Sequence, residues 1–401
     1  MQIRQGLVYT FYCTRLVVVF FCTLFLGKMT EVWAELSAYE GEFDLEKENC
    51  ILISSGKNWV EQAAVDQLRG VSRLPGMIRT VGLPDLHPGN TPVGMAALSR
   101  GRFYPHLIGN DIGCGMSLFS TQVRRKRFKM EKWVTRLNSI RELGDIPCDN
   151  PYEEECPIRD FGTIGSGNHF IEFQCLEQVY DESAAKAMGL LGENVLVLVH
   201  SGSRGYGQEI LSRYNRPEGI EEDSIQAAAY LAAHDDALKW AGRNRLAAAG
   251  KLLDYLNTDS QLDILMESCH NYLEQTEDGW LHRKGSVSAK HGAVVIPGSR
   301  GSLTYVCVPG KDTGISLDSL SHGAGRKWAR SVCKSRIDRK YDRNSIRSTK
   351  FKSQVVCHDT NLLFAEAPEA YKNVEQVIAS LQEFGLIEVA ATLRPLITYK
   401  G

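Results

Sequence analysis

The sequence predicts a protein of mixed α-helices and β-strands with no linker long enough to separate domains. Hydrophobic residues recur at helical spacing in three stretches, which are Val60–Leu68, Met130–Leu143 and Ser224–Tyr255. Short apolar runs typical of strands occur at Val195–Val199, Ala293–Ile296 and Thr304–Val308. A chain of 401 residues with an ordinary apolar fraction can bury one large core or two ordinary ones, and we find no internal repeat.

Glycine-rich segments separate these elements. Glu31–Gly82 reads as short strands and a helix without evident chemistry, whereas Pro84–Met116 has the Gly, Pro, Asp and His content of ordered loops that position functional groups. An acidic loop at Asn150–Pro157 precedes a second Gly-rich segment, Phe161–Glu172. The strand at 195–199 feeds a Gly-rich turn, and Ser319–Gly325 is expected to be a loop.

Composition limits the class of protein. The net charge of -2 excludes overall basicity as the sign of a nucleic-acid partner, so such a signal must come from local clusters. Eleven cysteines without regular paired spacing argue against a secreted disulfide framework and favour a reducing compartment. We therefore expect a cytoplasmic protein with no membrane partner.

The N-terminal residues 1–28 allow two interpretations. Arg4 and Arg15 precede an apolar run, Leu16–Leu26, that resembles the hydrophobic part of a signal peptide but is short for a membrane span. The alternative is an upstream start ahead of a protein that begins at Met29. We favour the second interpretation because no small-residue cleavage site follows the run, and we expect one catalytic domain over 29–401.

Potential metal ligands recur at the ends of the Gly-rich segments. They are Asp111 and Cys114 in NDIGCG, His169 in GSGNHF, His200 in VHSGSRG and His270 in CHN. Imidazole, carboxylate and one thiolate together suit Mn, Fe, Co or Zn better than Mg or Ca. Taken singly, Cys114 is better explained as a buried structural cysteine, and each histidine as a satisfied core or surface residue. The glycines around Asp111 and Cys114 favour the metal site, because a tight turn can aim both side chains at one point.

Two further patterns suit phosphate groups. Small residues beside an arginine occur in SGSRGYG at 201–207, PGSRG at 297–301 and HGAGR at 322–326. No Walker-type P-loop motif is present, which disfavours an ordinary P-loop NTPase. Basic residues cluster at 124–129 and from Arg326 to Lys352, including Arg343. A charge run is often only a solvated face, but its position directly after a candidate phosphate loop favours contact with a nucleic-acid backbone.

Taken together and in order, these motifs resemble those of the RtcB family of RNA-splicing ligases. They are DLHPG, GNDIGCGM, GSGNHFIE, VHSGSRGYG, CHN, HRKG, PGSRG, SHGAGR and the terminal Lys400 and Gly401, so the resemblance runs from about Leu83 to the C-terminus. It implies an α+β fold with a central β-rich core flanked by helices. It also implies GTP and two Mn(II) ions as cofactors.

The resemblance assigns roles to individual residues. His322 is the expected catalytic nucleophile, and the expected metal ligands are Asp111, Cys114, His169, His200 and His270. RNA phosphates are expected at Arg204, Arg326 and Arg330. The guanylate is expected at Asn168, His169, Phe170, Ile171, Glu172, His270, Asn271, Pro297, Gly298, Ser299, Arg300, Thr304, His322, Gly323, Ala324, Gly325 and Lys400.

The reaction that the resemblance implies joins an RNA 3′-phosphate or 2′,3′-cyclic phosphate to a 5′-hydroxyl through guanylylated His322. Splitting a condensation into easier displacements is the purpose of such a covalent step. Arg300 stands where methionine is usual in the family, and DLHPGNTPVGM also departs from the usual pattern. This variant resembles a subgroup associated with a peptide-release-factor homologue, which suggests repair of damaged ribosomal or transfer RNA.

Two alternatives follow from the same residues. A metal-dependent phosphodiesterase or cyclic phosphatase would process RNA ends without a covalent guanylate. A noncatalytic RNA-binding repair component would need no metal. Of the histidines without a role, His87 is expected near the site and His234 is expected to be structural.

Overall fold

A computed structural model describes residues 49–147, 160–259, 261–342 and 344–401. The N-terminal segment 1–28, the beginning of the 31–82 stretch, the acidic loop 150–157 and Arg343 lie outside the described residues. Among the described residues the α-helices are α1 Gln62–Ser72, α2 Pro105–Ile108, α3 Met130–Leu137, α4 Glu182–Ala187, α5 Gly205–Tyr214, α6 Ile225–Tyr255, α7 Arg330–Ile337, α8 Thr360–Ala365 and α9 Val374–Glu383.

Seventeen strands are described. They are β1 Cys50–Leu52, β2 Met77–His87, β3 Val93–Ser99, β4 Arg102–Phe103, β5 Gly115–Arg124, β6 Phe170–Val179, β7 Asn194–Ser201, β8 Ile220–Glu221, β9 Leu262–Cys269, β10 Asn271–Thr276, β11 Gly279–Lys284, β12 Ser286–Ser288, β13 Val294–Pro297, β14 Thr304–Pro309, β15 Ser319–Ser321, β16 Gln354–Cys357 and β17 Ile387–Lys400. Single 3₁₀ turns occur at 125–127, 143–145, 314–316, 345–347 and 368–370.

The strands form two large sheets. The larger sheet has eight strands in the order β13-β14-β17-β6-β7-β5-β9, and β16 pairs with β17 beside this path. The other has five strands in the order β1-β2-β3-β11-β10, while β12 with β15 and β4 with β8 form short pairs. Helices flank these sheets, which confirms the predicted α+β fold with a β-rich core.

The long helix α6 covers one face of the larger sheet. Ser224 caps it, because its Oγ accepts a hydrogen bond of 3.1 Å from the Ala227 amide. Small and branched residues at helical spacing, among them Ala248 and Leu252, pack in one buried cluster with Val195, Val197 and Val199 of β7. This burial, rather than helix propensity alone, stabilises the 31-residue helix against the sheet.

Several element boundaries differ from the sequence-based expectation. The stretch 84–116 was expected to be loops, but it contains the end of β2, all of β3 and β4, and α2. Its polar residues lie at the ends of buried strands, and burial of the intervening apolar residues outweighs the loop-like composition. Likewise, Ser319–Ser321 is a strand paired with β12, and the helix expected over 130–143 ends at Leu137. No helix among the described residues has both the length and the apolarity to cross a membrane.

Candidate active site

The sheet register brings four of the predicted segments to one edge. In the order β6-β7-β5-β9 every neighbouring pair is antiparallel. The starts of β5 and β6 therefore lie beside the ends of β7 and β9. Cys114 immediately precedes β5 and His169 immediately precedes β6, whereas His200 lies at the end of β7 and His270 follows β9. Of these four residues, Cys114, His200 and His270 line a cavity of about 350 Å³, and His169 lies behind them against Cys114.

The five predicted metal ligands form one continuous chain of contacts. His169 Nε2 lies 2.9 Å from Asp111 Oδ2 and 3.3 Å from Cys114 Sγ. The same sulfur lies 3.2 Å from His200 Nε2, which in turn lies 3.3 Å from His270 Nε2. Cys114, His169 and His200 place one potential ligand atom each within 4.8 Å of one another. Cys114 is thus the central member of the chain of contacts, with His169 and Asp111 on one side and His200 and His270 on the other.

Hydrogen bonds orient the imidazoles toward a cation. The Nδ1 atoms of His169 and His200 lie 2.7 Å from the Ile164 carbonyl and 3.2 Å from the Asn168 carbonyl, respectively. Because a carbonyl only accepts, Nδ1 carries the proton in each neutral ring and Nε2 presents a lone pair. Lone pairs that face one another in a buried space are unfavourable unless a cation lies between them. The donor set therefore fits a metal.

Electrostatics point the same way. Burial lowers the pKa of His200 and of His270 well below the ordinary value, so both rings are neutral and able to bind a metal. Burial, followed by the nearby Asp111 carboxylate, raises the pKa of the Cys114 thiol well above its usual range. A thiolate at this position accordingly needs a bound cation to stabilise it.

Glycines allow the ligands to approach. Gly113 has a φ of +73°, and a Cβ on Gly115 would lie 2.2 Å from the Ser268 carbonyl oxygen. This agrees with the tight turn predicted around Cys114. A Cβ on Gly202 would lie 2.1 Å from Asp111 Oδ1, so the turn after β7 must also lack a side chain.

His322 lines the same cavity and is held by a buried carboxylate. Its Nδ1 lies 2.7 Å from Asp85 Oδ2, and the same oxygen accepts a hydrogen bond of 3.2 Å from the His322 amide. Burial disfavours the charged Asp85 side chain, but hydrogen bonding and charge attraction from His322 outweigh it and keep the pKa of Asp85 below its usual value. With Nδ1 engaged, Nε2 is the ring nitrogen left for chemistry. The His322 ring centroid is 4.6 Å from that of His270, so nucleophile candidate and metal cluster are adjacent.

Most of the residues expected to hold guanylate border this cavity. Those that line it are Asn168, Phe170, Glu172, His270, Asn271, Pro297, Gly298, Ser299, Arg300, Thr304, His322, Gly323, Ala324, Gly325 and Lys400. Ile171 does not line it: its side chain is fully buried in the hydrophobic cluster behind β6, because successive side chains of a strand face opposite ways. His169 is turned toward the metal ligands.

Glu172 and Lys400, which both line the cavity, make buried polar contacts. Glu172 accepts hydrogen bonds from Gln174, at 2.7 Å, and from the Thr398 hydroxyl. Burial raises the pKa of Glu172 to about 7 despite these bonds. Lys400 donates to the His169 carbonyl at 3.0 Å, and its ammonium lies 5.9 Å from the Phe170 ring centroid.

The three arginines expected at RNA occupy different positions. Arg330 lines the cavity and is half exposed, with its Nε 3.2 Å from Glu366 Oε1. Arg326 also lines the cavity, but its guanidinium donates to Glu366 at 2.9 Å and to the Ala365 carbonyl at 2.8 Å. Arg204 does not line the cavity; it has a φ of +57° and its Nη2 is 3.9 Å from Asp160 Oδ2.

Sequence reasoning missed three residues that shape the candidate site, although two of them lie in motifs that it named. Asp85 belongs to DLHPG, and Lys284 belongs to HRKG and lines the cavity. Glu366 lies in no recognised motif and gathers Arg326, Arg330 and Lys400 around one buried carboxylate. His87 lines the cavity as expected, and burial lowers its pKa to about 4. His234 is structural as expected: it is fully buried and accepts a 3.0 Å hydrogen bond from the Leu273 amide.

Comparison with known proteins gives a consistent result. A family model described as tRNA-splicing ligase RtcB matches residues 67–149 and 147–401. The RNA-splicing ligase RtcB2 of Escherichia coli is 40% identical over 365 residues, covering 87% of this chain and 95% of that protein. The tRNA-splicing ligase RtcB of Nanoarchaeum equitans is 29% identical over 443 residues, covering 85% and 92%. The chain therefore belongs to the RtcB family of RNA-splicing ligases and is an RNA ligase.

Proposed function

We propose that this ligase joins RNA 3′-phosphate or 2′,3′-cyclic phosphate ends to 5′-hydroxyl ends through a guanylate carried on His322, with GTP and two Mn(II) ions. The observation that carries the proposal is the position of His322. Its Nδ1 is hydrogen-bonded to Oδ2 of the fully buried Asp85 at 2.7 Å, and its ring lies next to that of His270 in the candidate metal cluster. An imidazole oriented by a carboxylate is the arrangement that nucleophilic catalysis requires.

The ligand cluster could hold two cations, one on each side of Cys114. Asp111, Cys114 and His169 form one group, and Cys114, His200 and His270 form the other. Both groups contain nitrogen and sulfur, which favours a borderline divalent ion, and family membership favours manganese within that class. Bound there, the cations would neutralise charge on the reacting phosphates.

The residues around His322 account for the first step. Nε2 attacks the α-phosphorus of GTP, an N–P bond forms, and the P–O bond to the β-phosphate breaks with release of pyrophosphate. The positive charge that develops on the imidazole is stabilised by Asp85. Glycine-rich backbone at 297–298 and 323–325 borders the cavity and can approach the nucleotide closely. Phe170, Glu172 and Lys400 line the same space and are proposed to contact the guanylate.

Two further displacements complete the reaction. An oxygen of the RNA 3′-phosphate attacks the guanylate phosphorus and the N–P bond breaks, which returns His322 to its neutral form. The RNA 5′-hydroxyl then attacks the activated 3′-phosphate, and GMP leaves. A cyclic phosphate end must first be opened by hydrolysis. Arg204, Arg326 and Arg330 are proposed to contact RNA phosphates; of these, half-exposed Arg330 has most room to do so.

The biological setting is proposed from the resemblance. Several relatives are named for tRNA splicing, and the departures at 85–95 and at Arg300 favour RNA repair in the cytoplasm, with a peptide-release-factor homologue in the same pathway. We also propose that residues 29–401 are the catalytic domain and that 1–28 take no part in it. Membership of a ligase family argues against the two alternatives, end processing without joining and noncatalytic RNA binding.

The test is labelling with GTP that carries ³²P at the α-phosphate, in the presence of Mn(II). A phosphoramidate on histidine predicts a label that is acid-labile, stable in alkali and absent from His322→Ala. The matched control is His291→Ala, since His291 is an exposed histidine that lines neither the active-site cavity nor the metal cluster. Retention of the label in His322→Ala, or absence of label from the wild-type chain that still joins RNA, contradicts the proposal.

A further inference from the structure

A second groove opens beside the active-site cavity. It has a volume of about 830 Å³, and Ser299, Arg300 and Tyr371 line both spaces. Its other walls come from the loop before α1, the segment after β15, the segment that precedes β16 and the segment 368–376 at the start of α9. A groove of this size, continuous with the catalytic cavity, can hold a nucleotide-sized group.

Arg300 lies between the two spaces with most of its guanidinium unpaired. The side chain is only 7% exposed. Its Nη2 donates to the Ile346 carbonyl at 3.1 Å, and Ile346 lines the second groove. Nε and Nη1 are buried and have no hydrogen-bond partner among the described residues. A buried guanidinium with two unpaired donors is costly to the folded chain, which indicates that a ligand completes it.

An anion with two acceptor oxygens would complete this guanidinium. The guanidinium fork matches phosphate geometry, and a phosphate can accept from Nε and Nη1 together. The nearby carboxylates do not serve this purpose. Glu366 is occupied by Arg326, Arg330 and Lys400, and Glu369 Oε1 accepts from Lys340 and from the Tyr341 hydroxyl.

The rest of the groove has the features of a nucleotide site. Trp59 lines it with 55% of its surface exposed, and it is the largest exposed aromatic side chain there. Lys327 and Lys350 also line it and supply positive charge. Glu369 Oε2 is a buried acceptor without a partner among the described residues, which suits a ribose hydroxyl or an amino group of a base.

We propose that this groove binds one nucleotide of the RNA substrate, with its phosphate on Arg300 and its base stacked on Trp59. The inference rests on the proposed RNA-joining function and extends it, because it names a strand-binding subsite outside the catalytic cavity. Aromatic stacking accepts any base, so the subsite reads strand position and not sequence. Methionine cannot bind a phosphate, so Arg300→Met removes the group on which this subsite depends.

The experiment measures equilibrium RNA binding in the His322→Ala background, where no guanylate forms. RNA binding in this background does not depend on guanylylation, so the subsite can be tested even if the proposed guanylylation of His322 is wrong. Fluorescent decanucleotides and dinucleotides ending in 3′-phosphate are titrated in Mn(II) over a range of salt concentrations. Arg300→Met is expected to weaken decanucleotide binding roughly ten- to a hundredfold, the effect of losing a charge-assisted hydrogen bond. It is also expected to reduce the slope of log affinity against log salt by about 0.7, the value for one phosphate of a single strand.

Companion variants separate charge, shape and stacking. Arg300→Lys keeps the charge without the fork, so its affinity is expected to lie between those of the wild-type residue and Arg300→Met. Trp59→Ala is expected to weaken decanucleotide binding roughly five- to a hundredfold with little change in salt slope. Because Trp59 is largely exposed, this variant is expected to fold even if Arg300→Met does not. Arg216→Met is the control, since Arg216 is exposed and lines neither groove.

Three outcomes overturn the inference. One is an unchanged decanucleotide affinity and salt slope in folded Arg300→Met together with an unchanged affinity in Trp59→Ala. The second is a loss of GTP affinity in Arg300→Met without a loss of RNA affinity, which would place the phosphate of GTP on the guanidinium. The third is an equal loss of affinity for the dinucleotide and the decanucleotide in both variants. The inferred subsite lies beyond the reacting end, so the dinucleotide should lose less affinity than the decanucleotide.

Discussion

Replacement of Asp85 by asparagine tests the orientation of the proposed nucleophile. Asp85 is fully buried, and its Oδ2 accepts hydrogen bonds from both the ring and the amide of His322. Asparagine has nearly the same shape but no charge. Its amide nitrogen cannot accept from Nδ1–H, and its oxygen accepts only as a neutral group. The proton of the ring is then no longer confined to Nδ1, and the positive charge that forms during attack loses its partner.

The expected magnitude follows from these contacts. A buried hydrogen bond to a charged group contributes about 1.5 to 3 kcal/mol. The Coulomb attraction between the carboxylate and an imidazolium about 4 Å away is about 4 kcal/mol at an effective dielectric constant of about 20. Since 1.4 kcal/mol corresponds to a factor of ten, Asp85→Asn should slow guanylylation by about ten- to a thousandfold.

The assay is single-turnover labelling by GTP carrying ³²P at the α-phosphate, with the fold checked by thermal unfolding. Asp278→Asn is the matched control, because Asp278 is exposed and lies on the turn between β10 and β11. A folded Asp85→Asn variant that is labelled at the wild-type rate would refute the proposed role of this carboxylate.

Three other predictions follow from the site. Burial raises the pKa of Glu172 from 4.5 to about 7, so between these pH values the folded chain binds more protons than the unfolded chain. The free energy of unfolding should therefore fall as pH rises from 4.5 to 7, by up to about 3 kcal/mol relative to Glu172→Gln. Urea unfolding that depends on pH in the same way for both chains would contradict this. If two ions bind as proposed, Cys114→Ala should lose both and His270→Ala should retain about one, because Cys114 contacts both groups of candidate ligands. Equal metal content in the two variants, measured by elemental analysis, would contradict this. Gly202→Ala should displace Asp111 and lower metal content, because the new Cβ would lie 2.1 Å from its carboxylate; a full complement of metal in that variant would show that the turn can relax.

Secondary structure was predictable where one hydrophobic pattern dominated. The helix expected over Ser224–Tyr255 begins at Ile225 with Ser224 as its cap, and the strand expected at 195–199 is the centre of β7. Prediction was wrong over 84–116, where Gly, Pro and Asp interrupt the pattern. There, pairing of β2 with β3 and burial between neighbouring elements override the local composition.

The clustering of the five candidate metal ligands was predictable for a different reason. Four of the five, all but His270, stand in short motifs in which glycines permit a turn that only a closely packed site requires, as at Gly113 and Gly115. Ile171 shows why consecutive residues of a motif cannot all be assigned to the guanylate site. It lies between Phe170 and Glu172 in sequence, but alternation along β6 turns it into the core.

The sequence by itself determined the family and which chemical groups are available: three histidines, a thiol and a carboxylate as candidate metal ligands, and a further histidine as the proposed nucleophile. Only the tertiary structure decided which of these groups meet. Asp85 and His322 are 237 residues apart in the chain and 2.7 Å apart in space, and Arg300 faces a groove built from several distant segments. Such contacts depend on strand register and on the packing of whole elements, and those are set by burial summed over the entire core rather than by any local pattern of residues.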